Sequence, residues 1–117
     1  MDDDWVYGST EATWGGERCH IFRTDGEDSE HVLTVTDELP GQPKIRDMAR
    51  GPRNTLIGVT TTYDEVFDEN PYSYEGGHIF SFDPETKAFV DHGVLQDGQG
   101  INCVAVDTVR TKVYCVT

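Results

Sequence analysis

The sequence predicts an all-β protein made of short antiparallel strands grouped in fours, and three observations carry that prediction. Runs rich in Val, Ile, Thr, Tyr and Phe recur between Gly, Pro and Asp punctuation, and no stretch has a helical period. The runs also repeat. Residues 16–25 read GERCHIFRTD and residues 76–84 read GGHIFSFDP, so that His20 and His78 open the same His-Ile-Phe phrase fifty-eight residues apart, each followed by an Asp. A chain of 117 residues suits one domain.

Residues 6–10, 56–60 and 113–117 align as three copies of an apolar-aromatic strand ending in Thr, with Tyr7, Ile57 and Tyr114 spaced by 50 and 57 residues. The second and third copies are preceded by residues 45–49 (IRDMA) and 101–105 (INCVA), which match at Ile, an apolar position and Ala. The strands that begin at His20 and His78 follow the first two copies. Residues 31–35 and 87–90 supply a fourth strand, closed by Leu39-Pro40-Gly41 and by Asp97-Gly98-Gln99-Gly100. With strands lettered A to D outward from the axis, the chain order is B-C-D, A-B-C-D, A-B. The first repeat covers about residues 5–55 and the second about 56–117. Four strands per period of 50 to 58 residues is the pattern of β-propeller blades, here about two blades' worth.

The stretch FDPETKAFVDHGVL, followed by GINCVAVDTVRTKVYCVT, resembles the YVTN and kelch-like β-propeller repeat superfamily. Those repeats similarly run from a D strand through a Gly-rich turn to an apolar strand ending in Asp, then to a vYvt-like strand. The resemblance covers nearly the whole chain and implies blade packing without implying an activity. The chain departs from kelch, because Gly15-Gly16 and Gly76-Gly77 precede strand C with no Tyr and Trp at kelch spacing, and it has no WD dipeptide.

Twenty-two acidic against nine basic residues give a net charge of −13, which argues against nucleic acid and anionic membranes as partners. A small ligand, a glycan or a protein remains. No apolar run approaches the ~20 residues of a membrane span. The start, Met1-Asp2-Asp3-Asp4-Trp5, lacks a basic and then apolar leader, so the expected setting is cytoplasmic, or the chain is a piece of a longer one. Cys19, Cys103 and Cys115 have no CxxC spacing, so no disulfide is expected and no metal site is nominated.

Candidate binding residues come from the places where the repeats differ. Between strands B and C the first repeat has nine residues, 11–19, and the second has seventeen, 61–77. The insertion is acidic and aromatic, offering Asp64 and Asp68 beside Tyr63, Tyr72 and Tyr74, a mixture suited to stacking sugar rings or meeting a basic partner. The A strand of residues 44–53 packs four of the nine basic residues into ten positions. Arg46 and its counterpart Asn102 are expected at the rim that carries these loops, placed for carboxylates or sugar hydroxyls. His78, like His20, is expected to hydrogen-bond a neighbouring loop, with a ligand-facing role as the alternative. No catalytic constellation is legible, and no cofactor is indicated.

The leading expectation is therefore a binding or assembly module. The alternative is part of a carbohydrate-active propeller enzyme, a lyase or hydrolase, in which His78, Tyr74 and Arg46 would have to converge. Two blades cannot close a ring of about four to eight. The chain is accordingly expected to be a portion of a longer propeller, or to associate head to tail as a homo-oligomer.

Overall fold

The computed structural model describes residues 5–10, 18–40, 42, 44–61 and 75–117. Their elements run β1 (Val6–Ser9), β2 (His20–Thr24), β3 (Ser29–Thr34), α1 (Val35–Glu38), β4 (Lys44–Arg50), β5 (Leu56–Thr61), β6 (His78–Phe82), β7 (Phe89–Val94), β8 (Cys103–Asp107) and β9 (Lys112–Val116). They form three sheets in the orders β1-β2-β3, β4-β5-β6-β7 and β8-β9, with every neighbouring pair antiparallel. The all-β antiparallel class and the three-four-two grouping in chain order agree with the sequence. No sheet among the described residues closes on itself.

The three sheets stack in chain order, and the periodicity of two decides which residues meet. On β5, Leu56 faces the first sheet, where Ile21, Val32, Val35, Ile45, Phe80 and Phe82 form a shared core. Ile57 and Val59 point the other way and pack with Val104 of the third sheet and with Ile101 just before it. Residues 56–60 are therefore all buried, because this strand is covered on both faces. No helix among the described residues is long and apolar enough to cross a membrane.

Three Asp residues at strand ends close turns. Asp25 Oδ1 accepts from the backbone N–H of Glu27 and Asp28, both at 2.9 Å. Asp83 Oδ1 accepts from Glu85 and Thr86, and Asp107 Oδ1 from Val109 and Arg110. These are Asx turns, in which the carboxylate takes the donors that a tight reversal leaves unpaired. Those amide donors hold all three carboxyls below the ordinary range.

Three strand limits differ from expectation. The strand expected at 31–35 is Ser29–Thr34, and Val35 begins a helical turn, whose Leu39 N–H donates to Val35 O at 2.7 Å while both side chains are buried. Lys87 and Ala88 belong to the β6–β7 reversal, with Lys87 at φ +66° and the Asp83 N–H bonded to Ala88 O. Ile101 and Asn102 precede β8 and are tied crosswise: Ile101 N–H donates to Thr60 O and Asn102 N–H to Val116 O. All three cysteines are free, and the β8–β9 register sets Cys103 opposite Val116, with Cys115 opposite Val104 on the other face.

Candidate functional site

The end of the second sheet that carries the long β5–β6 connection is built around His78. Ile45, Thr60, His78 and Val94 stand on one rung across β4 to β7. The chain can close so tightly here because Gly76 holds φ +127° and Gly77 packs against β5, where a Cβ would lie 2.4 Å from Thr60 O. Behind them Thr60 Oγ1 donates to Gln42 Oε1 at 2.7 Å and accepts the His78 N–H at 2.8 Å, while Gln42 Nε2 donates to Gly76 O at 3.0 Å. This buried network fixes the His78 backbone.

The His78 ring lies between two carboxylates. Nδ1 is 2.9 Å from Asp91 Oδ1 on β7, and Nε2 is 2.5 Å from Glu75 Oε1. Burial works against the charged ring, but the hydrogen bonds to Asp91 and Glu75 outweigh it and hold the His78 pKa above its usual value. Asp91, despite its own desolvation, is held low by His78 and by the Gly93 N–H. With both nitrogens engaged by carboxylates, His78 is a clamp between β6, β7 and the incoming loop. The expected loop partner is thus Glu75, joined by a cross-strand partner that the sequence reading missed.

Arg46 stands elsewhere. It is the extra residue of a bulge in β4, between Ile45 paired with Thr60 and Asp47 paired with Val59, and it is exposed. Two strand spacings, ~10 Å, separate its rung from His78. It lines a groove of ≈ 490 Å³ between β1 and β4, with Trp5, Tyr7, Asp47, Met48 and Arg50, to which His78 does not contribute. Asn102 is exposed just before β8. Tyr63, Asp64, Asp68, Tyr72 and Tyr74 lie outside the described residues, and with Tyr74 so does the convergence of His78, Tyr74 and Arg46.

Side chains that no motif announced hold the assembly together. Arg23 is buried between the first two sheets, where its Nη1 reaches Tyr7 Oη at 3.4 Å and Glu85 at 2.9 Å, its Nε bonds Glu30, and its guanidinium stacks 4.3 Å over the Trp5 ring. A lone Arg in a strand carries no sequence signal for this role. Asp47 does the same on the other side: Oδ2 accepts the Val104 N–H at 2.9 Å, joining the inner strands of sheets two and three, while Oδ1 takes the Met48 N–H. In a second hollow, of ≈ 340 Å³, the β7 bulge residue His92 meets Ser81 Oγ at 2.8 Å. Among the described residues no group of three or more His, Cys, Asp or Glu is arranged for a metal ion. Comparison with protein-family models, curated proteins and solved structures finds no match to this chain.

Proposed function

We propose that the chain is a β-propeller-type binding and assembly module whose end sheets each take another sheet of the same kind, supplied by a second copy. One observation supports this most. The face of sheet two that sheet three covers carries Asp47, Ala49, Ile57 and Val59, and the equivalent positions of sheet three, Cys103, Ala105, Tyr114 and Val116, are exposed. At the other end Val6 and Phe22, exposed on sheet one, are the equivalents of Leu56 and Phe80, which sheet one buries. Each stacking step inside the chain uses one face of each type, and the two open faces are again one of each. A head-to-tail copy would repeat the internal interface, which is heterologous and extends until it closes.

Tyr114 is 59%, Val116 56% and Val6 68% exposed, and large apolar side chains left open on both end faces of a −13 chain suit contact surfaces. The groove lined by Trp5, Tyr7 and Arg46 lies beside β1, an edge strand among the described residues, and is the place for a small carboxylate, a glycan or a peptide strand.

Light scattering on the 13.1 kDa chain tests the proposal. Discrete multiples are expected, and Tyr114→Asp at one end or Val6→Asp at the other should each raise the dissociation constant about tenfold or more, since either buries a charge. A folded monomer at every concentration would sink it.

A further inference from the structure

We propose that His20, His31 and Thr34 form a binding site for a divalent transition metal of the zinc, nickel or copper type on the outer face of the first sheet. Three donor atoms converge there. His20 Nδ1 and His31 Nε2 are 3.2 Å apart, and Thr34 Oγ1 lies 3.0 Å from the first and 2.9 Å from the second. The strands place them: His20 is paired with Thr34 and Phe22 with His31, and the bulge between those rungs, centred on Val32, turns His31 and Thr34 toward the same ring. The rings of His20 and His31 stand 5.0 Å apart at 73°, each edge-on to Phe22, which fixes their planes.

Protons fill two edges of this triangle, one ring N–H donating to Thr34 Oγ1 and the Thr34 O–H to the bare nitrogen of the other ring, and leave the 3.2 Å nitrogen–nitrogen edge without a proton of its own. If one ring nitrogen carries a proton the other must be bare, so one N–H and the Thr34 O–H serve three contacts. If both nitrogens are protonated two N–H groups collide, and if both are bare two lone pairs face each other. A cation above the triangle satisfies all three donors together. Two imidazole nitrogens bound at ~2.0–2.1 Å in tetrahedral geometry lie about 3.3 Å apart, which the observed separation matches. Imidazole nitrogen with one oxygen suits zinc, nickel or copper better than calcium or magnesium.

The second sheet shows what the same positions look like without such a site. His78 is the counterpart of His20, but Asp91 replaces His31 and Val94 replaces Thr34. There the imidazole meets a carboxylate, and the pair closes on itself as a charge-assisted bond. The change from Asp to His and from Val to Thr converts an internal ion pair into a set of lone-pair donors. A bound ion would staple β2 to β3 on the same face that carries Val6 and Phe22, leaving positions for water or for a ligand from the docked copy.

Calorimetric titration of the full chain with Zn²⁺, and in parallel with Ni²⁺, tests the site. One ion per chain is expected, with affinity falling about tenfold or more in each of H20N and H31N, because loss of a ligand costs at least what loss of an outer-shell partner does. T34V should weaken binding less, and C103S/C115S should leave it unchanged. Far-UV circular dichroism of each variant separates loss of site from loss of fold, and NMR of the His20 and His31 ring signals gives a second readout on the unaltered chain. Absence of saturable binding, binding untouched by both histidine substitutions, or binding lost only in C103S/C115S would each overturn the assignment.

Discussion

Gly58 shows how one residue carries a packing decision. A Cβ there would lie 2.2 Å from the Phe80 ring, which is wholly buried across the strand pair. Gly8 is its counterpart opposite Phe22, yet nothing lies within 4 Å of a Cβ at that position. Gly58→Ala should therefore destabilise by about 1–3 kcal/mol in urea unfolding, while Gly8→Ala should be close to neutral; equal effects would contradict the packing described. His78 yields a prediction in pH. Its folded pKa is raised, so its contribution is full below the unfolded value of about 6.5 and fades as pH rises through the folded pKa. Asp91, held low, contributes above its unfolded value and loses that contribution only as the solution is made strongly acid. Wild-type stability measured from weakly acid to alkaline pH should decline as pH rises past about 6.5 relative to His78→Gln, and a constant difference would refute the clamp.

At the scale of elements, the bulges and the inter-sheet ties set the geometry. The β2–β3 and β6–β7 pairs carry the same bulge two residues into the C strand, at Val32 and His92, so the two repeats agree in backbone irregularity as well as in strand order. What fills the bulge differs. Val32 is buried in the first core, whereas His92 lines the hollow toward the third sheet. The β8–β9 hairpin is held to the rest through Ile101, Val104 and the Asp47 carboxylate. Asp47→Ala leaves the Val104 and Met48 amides without that acceptor and should cost about 1–3 kcal/mol. Hydrogen exchange should show the loss first at Val104 and across β8–β9, with β2–β3 unaffected. Protection lost uniformly through the chain would show that the tie is not local.

For the whole molecule, the stack of sheets decides the surface, and the proposed head-to-tail contact belongs to this scale. The sequence by itself determined the strand inventory, the antiparallel grouping and the turn aspartates, because alternation and turn chemistry are local properties. It also singled out Arg46 on an inner strand as a candidate at the loop-bearing rim, and Arg46 lines the groove between β1 and β4. It could not determine that Arg46 lines a groove to which His78 does not contribute, since a bulge at Arg46 leaves no mark in residue spacing. Nor could it find His31 beside His20, Asp91 beside His78, or Glu85 beside Arg23 sixty-two residues away, because cross-strand partners depend on register and stacking. Strand identity is written in nearest neighbours along the chain, whereas which side chains meet is settled only when the sheets pack, and that is where the tertiary structure decided the clamp, the groove and the paired histidines.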